Sequence, residues 1–442
     1  MKHPIKITKT YLFKLSIPIF FSNLAIPLVG IVDTALMGHL GNAKFLAATS
    51  IAATVLSLVL WSFGFLRMGT TGLVAQSIGK GDYREVVLTT IRNLSFAIII
   101  GFIILFLKTP LFFTIEYFFQ TTVETQQLIK EYISIRILSA PAELILYVLI
   151  GLFLGLQKTT ISSLIVTFFS IINIILSYYF VIELNMEISG VALGTVIAAY
   201  TTVLISLIFT HFYIKNQFSI IPRFKKILVK KKFFLLFKSN SDIFIRTLLL
   251  TFAFLWFIYL SSKMGEDYLA MNAILLQFIA IASFILDSYA FSTEGVIGFA
   301  IGRNSSKSFL MAANNSFQLS FYSGAIISLI FLLFFKEIIN ILTNIDYIKF
   351  ISYEYAIWAC TIPIIACFSY QFDGIFIGAS QTKELRNAMI FSVFSYLLIS
   401  LYLTKIMGNT GIWISLCLFM VLRAISLFYY LDKIYLRFGT IK

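Results

Sequence analysis

Apolar runs separated by short polar breaks recur about twelve times along the chain, near 12–37, 45–72, 87–107, 132–155, 160–182, 189–214, 242–262, 268–299, 309–335, 350–378, 387–406 and 410–431. A transmembrane helix needs roughly 20 apolar residues, so the pattern predicts twelve spanning helices. Several runs are longer than a perpendicular crossing requires, and these are expected to tilt or bend. A membrane β-barrel would instead show stretches of about ten residues alternating in polarity, and the runs do not alternate. Composition agrees: 59% of the 442 residues are hydrophobic and 12% charged, with a mean hydropathy of +0.93. That leaves too little polar surface to cover a water-soluble globule. The expected class is an all-α integral membrane protein.

The formal charge of +14 raises the question of a nucleic-acid partner, and its placement answers it. If both termini are cytoplasmic, 23 of the 34 Lys and Arg fall on the inner side, seven in outer loops and four within the spans. This is the positive-inside distribution of a membrane protein. The densest basic stretch, IKNQFSIIPRFKKILVKKKFFLLFK, lies between the sixth and seventh spans. It reads as a cytosolic linker that also meets anionic headgroups, and no nucleic-acid partner is expected.

The first apolar stretch, in MKHPIKITKTYLFKLSIPIFF, continues past the length of a secretory h-region without a small-residue cleavage site. It reads as a retained first helix. Cys360, Cys367 and Cys417 all fall inside predicted spans and are expected to be packing residues. His3, His39 and His211 are scattered, so no metal site is expected. No recognisable catalytic spacing of Ser, His and Asp or of Cys and His appears, and an enzyme is disfavoured.

An internal repeat organises the chain. GLVAQSIGKG at Gly72 pairs with GVIGFAIGRN at Gly295, and GLFLGLQKT at Gly151 with GIFIGASQT at Gly374. The glycine pairs 72/295, 79/302, 151/374 and 155/378 are each separated by 223 positions, as are Thr159/Thr382 and Lys80/Arg303. Two lobes of six helices follow. Because six is even, both lobes enter the membrane in the same sense, which makes the repeat parallel. The expected division is an N-lobe over 1–214, a basic cytoplasmic linker over 215–240 and a C-lobe over 241–442, with a cavity between the halves.

Polar groups inside the spans locate candidate chemistry. A carboxylate at mid-bilayer costs several kcal/mol and usually marks an ion or substrate path. Asp33 lies within LAIPLVGIVDTALMGHLG. Pro27, six residues earlier, cannot donate to the Asn23 carbonyl, and Gly30 follows, so the first helix is expected to bend and to need a hydrated or protein-lined neighbourhood there. Asp33 facing a cavity could exchange a proton for a cation. The competing reading is a carboxylate permanently satisfied by an arginine such as Arg67 or Arg136. In the second half Asp287 and Glu294 stand seven residues apart on one helical face, and Asp373 lies in QFDGIF. These three could form an ion path or could be charge pairs that lock helices together. Glu143, just past Pro141, is a further intramembrane carboxylate.

The stretches IPLVGIVDTALMGHLG, FGFLRMGTTGLVAQSIGKGD, ILSAPAELILYVLIGLFLGLQKT and FDGIFIGASQTKELRNAM, in that order and over essentially the whole chain, resemble the multidrug and toxic compound extrusion (MATE) transporters, specifically the DinF-like branch. The resemblance implies two six-helix bundles in a V around a central cleft. It also implies that Asp33 is the first-helix carboxylate whose protonation bends that helix, at Pro27 in this sequence, and releases substrate. Asn173 matches a fifth-helix asparagine, whereas Ser177 stands where the family often has an aspartate. That substitution leaves coupling to Asp33 alone or alters ion preference. Thr195 and Tyr132 match further polar positions around the same cavity; their alternative roles are interhelical hydrogen bonding and interfacial anchoring. Asp373 matches a tenth-helix aspartate of the NorM-like branch, but the seventh helix here offers only Asp242 and Arg246 near one end, so a sodium site built the same way is doubtful.

The expected function is therefore secondary active export by alternating access, antiporting lipophilic or cationic organic compounds against H+ or Na+. No cofactor is expected, and no P-loop of the GxxxxGK[ST] form is present. The expected setting is the inner (cytoplasmic) membrane, with both termini cytoplasmic and the protein acting as a monomer. Two alternatives stay open: a lipid-linked saccharide flippase of the same superfamily, which would need a cationic cavity supplied by Arg67, Arg136 and Arg246, and a non-transporting membrane scaffold. A major-facilitator exporter would share the span count, but the loop signature of that family is missing after the second helix.

Overall fold

The computed structural model describes residues 7–40, 42–119, 121–218 and 229–438. Twelve helices in it are long and apolar enough to cross a membrane: α1 (Lys9–Gly38), α2 (Ala43–Gly79), α3 (Tyr83–Phe106), α4 (Val123–Gly155), α5 (Thr159–Glu183), α6 (Glu187–Phe218), α7 (Lys230–Lys263), α8 (Glu266–Gly302), α9 (Ser306–Leu342), α10 (Asp346–Gly378), α11 (Thr382–Met407) and α12 (Asn409–Tyr435). They coincide with the twelve apolar runs, and the described residues contain no strand. The regularity is not uniform. A 3₁₀ turn at Ile137–Ser139 interrupts α4, and α5 closes with a π-helical turn at Tyr179–Glu183. The first helix is continuous from Lys9 to Gly38, with Pro27 inside it.

The chain forms two compact units, one of Phe21–Phe237 and the other of Met1–Phe20 with Lys238–Lys442. The first turns of α1 therefore belong with the helices that follow the basic segment: Ser16 and Ser292 share a 2.8 Å hydrogen bond, and Asn315 donates to the Ile7 carbonyl at 2.8 Å. Of the expected linker 215–240, residues 219–228 lie outside the described residues. Residues 215–218 complete α6, and 230–240 open α7.

The repeat seen in the sequence is a repeat of packing. Gly151 lies so close to the backbone of α2 that a Cβ would stand 2.4 Å from the Arg67 carbonyl oxygen, while Gly374 meets the Ala290 carbonyl, where a Cβ would stand 2.6 Å away. Gly155 and Gly378 repeat the contact one turn later, against the Thr71 and Glu294 carbonyls, at 2.7 and 2.5 Å. The partners 67/290 and 71/294 stand at the same 223-residue separation as the glycines themselves. Turn geometry repeats with it. Gln157 and Ser380 adopt φ of 58° and 53°, and Gly81 and Asn304 adopt 75° and 51°. Each ends a helix with a 6→1 amide bond, Lys158 to Phe153 and Gln381 to Phe376, Asp82 to Ser77 and Ser305 to Ala300. The same helix pair is thus built twice, as α2 with α4 and as α8 with α10, each inside its own unit.

Small residues at these crossings let backbones approach without a hydrophobic driving force, which lipid does not supply. Gly151→Ala is expected to destabilise by about 1–3 kcal/mol, the usual cost of overpacking, whereas Gly30, with nothing within 4 Å of a Cβ, should accept alanine within about 0.5 kcal/mol. Thermal unfolding of the two variants in one detergent checks the pair, and equal melting temperatures would contradict the packing described.

Each unit has its own core. Val74, Leu149, Leu152 and Phe153 anchor the first; Phe257, Phe278, Tyr396 and Trp413 anchor the second. Inside the second core Trp413 donates to Asn272 at 2.8 Å, and Asn272 donates to Ser261 at 2.8 Å and to Asn409 at 2.7 Å. Cys360, Cys367 and Cys417 are free and buried, the first and last within this apolar core.

Candidate functional site

Helices α5 and α6 bring three polar positions together. Asn173 and Ser177 stand one turn apart on α5. Gly194 on α6 approaches α5 so closely that a Cβ would lie 2.8 Å from the Ser177 amide nitrogen. That approach places the neighbouring Thr195 within reach. Ser177 donates to Asn173 Oδ1 at 3.2 Å, Asn173 Nδ2 donates to Thr195 Oγ1 at 3.0 Å, and Thr195 donates to the Val191 carbonyl at 3.1 Å. All three side chains are buried, and the chain of donors ends on the backbone of α6.

Asp33 on α1 faces this network. The Ser177 hydroxyl and the Arg136 guanidinium act on its carboxyl group. The residue is half-buried, yet its Oδ1 atom is sealed from solvent and has no hydrogen-bond partner. Tyr132, buried on α4, lies in the field of Asp33, Arg136 and Glu143 together. The structure thus gathers Asp33, Asn173, Ser177, Thr195 and Tyr132 into one site within a single unit. Pro27 is on the same helix as Asp33, two turns before it.

The guanidinium expected as a possible permanent clamp on Asp33 is engaged elsewhere. Arg136 bonds directly to Glu143 and to the Ser139 hydroxyl, and that hydroxyl lies 2.7 Å from Glu143 Oε1. Arg67, also buried, acts with Arg136 and Glu143 on the half-buried Tyr147. Sequence reasoning noted Arg136 and Glu143 separately and missed Ser139 and Tyr147. The signal available was an Arg and a Glu seven residues apart around a proline, two turns along one helix face.

In the other unit Asp373 is held by two arginines. Arg246 of α7 and Arg423 of α12 both donate to its Oδ2 atom, Arg423 at 2.6 Å. Side-chain exposures of 6%, 3% and 9% for Arg246, Arg423 and Asp373 put the whole cluster out of water. Asp287 and this cluster both lie within electrostatic reach of Tyr370. Glu294, two turns along α8 from Asp287, is 1% exposed, and its carbonyl meets Gly378. Asp242, near the start of α7, is bound by Arg386 at 2.6 Å and by Thr382 at 3.1 Å. Arg423 received no role from the sequence, although its place inside a span was the available signal.

The repeat extends into the site and then breaks. Counting 223 positions on, Asp33 corresponds to Trp256, Ser177 to Ser400 and Tyr132 to Tyr355. Trp256 Nε1 donates to Ser400 Oγ at 2.9 Å, so the contact between these helix positions persists with an indole in place of the carboxylate. Among the described residues no cluster of three or more His, Cys, Asp or Glu could hold a metal ion.

The MatE family model matches residues 18–179 and 243–406, one segment in each half of the repeat. DNA damage-inducible protein F of Escherichia coli (strain K12) is 33% identical over 416 residues, 94% of this chain and 90% of that protein. A probable multidrug resistance protein NorM of Photorhabdus laumondii is 21% identical over 431 residues, 93% of each chain. Among solved structures, a multidrug resistance MATE family transporter of the MOP superfamily in its outward-facing conformation superposes with a TM-score of 0.88 at 17% identity, over 97% of this chain and 96% of that one. With a family match in both halves of the repeat, a DinF relative along nearly its whole length and the shared twelve-helix fold, this chain belongs to the MATE family of membrane transporters, in its DinF-like branch.

Proposed function

We propose that this protein is a secondary active exporter that exchanges lipophilic organic cations for protons, with Asp33 as the coupling carboxylate. The observation that carries the reading is the state of Asp33: an intramembrane carboxylate with a buried, unpartnered oxygen, beside a polar network and free of a direct arginine clamp. The names of the relatives, among them multidrug resistance and multidrug export proteins, point to the same kind of cargo.

The preference for a proton over sodium rests on the neighbouring oxygens. A sodium ion must replace its water shell with several of them. Asn173 Oδ1 already accepts from Ser177, Thr195 Oγ1 already accepts from Asn173, and position 177 supplies no second carboxylate. A proton needs one acceptor, and Asp33 has one unused. In the C-terminal half an incoming cation at Asp373 would meet two guanidinium groups. The flippase alternative called on Arg67, Arg136 and Arg246 as cationic side chains, and of these Arg136 and Arg246 are each committed to a carboxylate.

In the cycle, the ionised carboxylate holds the organic cation. Protonation from outside removes the counter-charge, the cation leaves outward, and the conformational equilibrium shifts to return the proton inward. We propose both termini on the cytoplasmic side of an inner membrane, which the excess of basic residues on that side supports, and a monomer as the working unit.

Purified protein in vesicles should release a fluorescent lipophilic cation when an inward proton gradient is imposed, and a sodium gradient at constant pH should not substitute. Transport that followed sodium alone would overturn the assignment of the ion and shift attention to Asp373, Asp287 and Glu294.

A further inference from the structure

We infer that Glu143 is a positioning residue that holds the Arg136 guanidinium away from Asp33 and so makes the N-terminal site selective for a cation. The inference rests on the proposed role of Asp33.

Arg136 is the last residue of the first segment of α4, and Glu143 sits in the first turn of the second. Between them Pro141 lacks an amide hydrogen and cannot bond back to the Ile137 carbonyl, which is taken instead by the Ala140 amide. The chain tightens into the 3₁₀ turn Ile137–Ser139, which winds Arg136, Ser139 and Glu143 onto one side. Glu143 Oε1 then accepts from both the Arg136 guanidinium and the Ser139 hydroxyl. The turn is itself fixed from outside: Gly101 of α3 lies against Pro141 so tightly that a Cβ would come within 2.4 Å of its Cα. Side-chain exposures of 14% and 13% for Arg136 and Glu143 mean that water competes weakly with the pair.

Arg136 also lies within the field of Asp33, although its direct contacts go to Glu143 and Ser139. A buried guanidinium without a carboxylate partner carries a large desolvation cost, and once Glu143 is neutral the remaining nearby carboxylate is Asp33. Arg136 would then stand where the organic cation's counter-charge must act. The same side chain that would make the site indifferent to cations is kept off it by one neighbour on its own helix. Tyr132, buried, and Tyr147, half-buried, stand around the pair and leave the guanidinium few other directions.

Binding of tetraphenylphosphonium to the full-length protein in detergent, at a pH where wild type binds it, tests the assignment. Glu143→Gln should weaken binding roughly 10-fold or more, the scale of one hydrogen bond to a charged group. Removing the competitor as well, in R136Q/E143Q, should restore most of that loss, and the restored binding should vanish again with D33N. A purely structural role for Glu143 predicts the reverse, with the double variant at least as weak as the single one, and that result overturns the proposal. Wild-type affinity in E143Q overturns it too. If E143Q does not accumulate, Ser139→Ala loosens the same carboxylate and should weaken binding roughly 3-fold, the scale of one neutral hydrogen bond; unchanged binding counts against the proposal. D33N in the wild-type background separates the two levels. Unchanged binding there sinks the role of Asp33 and this inference with it, while a loss in D33N without a loss in E143Q sinks this inference alone.

Discussion

Asp33→Asn is expected to reduce proton-driven export of a lipophilic cation by about 10- to 100-fold, because the variant keeps the shape of the side chain and removes its charge. An interaction with a charged group contributes about 1.5–3 kcal/mol, and each ~1.4 kcal/mol is a decade. Stability should change little, since Asp33 Oδ1 has no hydrogen bond to lose and asparagine keeps an acceptor for Ser177. The measurement is initial rate of probe release from vesicles at equal protein density, with and without an imposed pH difference. Vesicles holding the D33N protein that stay gradient-coupled at the wild-type rate would end the proposed mechanism. A proton gradient is an adequate energy source for such an exchange. A tenfold difference in proton activity supplies about 1.4 kcal/mol per proton, which sustains roughly a tenfold ratio of a cation exchanged one for one.

Asp373→Asn should act in the opposite way, through stability. Its removal leaves Arg246 and Arg423 buried with no carboxylate between them, and breaking a buried ion pair from one side costs about 3–5 kcal/mol. We expect a clear drop in melting temperature and in the yield of monodisperse protein. Replacing all three charges by apolar side chains of similar volume, as in R246M/D373L/R423M, should recover much of that stability. An Asp373→Asn protein as stable as wild type, but with altered coupling, would instead assign Asp373 to an ion path.

These two carboxylates show how far the sequence could be read. The number of helices, the absence of strands among the described residues and the duplicated architecture follow from apolar run length and from glycines at a fixed separation, because both properties are local or strictly periodic. The glycines were legible for a further reason: a missing Cβ is visible in the letters, and its recurrence at Gly151 and Gly374 sets these apart from glycines such as Gly30 that meet open space. The polar set of Asp33, Asn173, Ser177 and Thr195 was legible through the family pattern, and the hydrogen bonds among the last three lie within or between two consecutive helices.

The partnerships of the arginines were not legible. Arg246 and Arg423 reach Asp373 from 127 and 50 residues away, and no periodicity selects those two from the other basic residues. Choosing between Arg67 and Arg136 as neighbours of Asp33 required the path of the chain through Ile137–Ser139, which a proline announces but does not specify. Burial of the ion pairs could be expected from their place inside apolar runs. Which acid met which base could not.

The indole at Trp256, hydrogen-bonded to Ser400 where the other half sets Asp33 beside Ser177, has an arithmetic consequence for energy conversion. Of these two equivalent places one carries an ionisable group and the other does not, so under the proposed coupling the pair takes up one proton per turnover. Swapping one proton for one monovalent organic cation moves no net electricity, and the membrane voltage then neither helps nor opposes the exchange. Under the proposed coupling, collapsing the voltage with a potassium ionophore leaves export running, while dissipating the pH difference stops it.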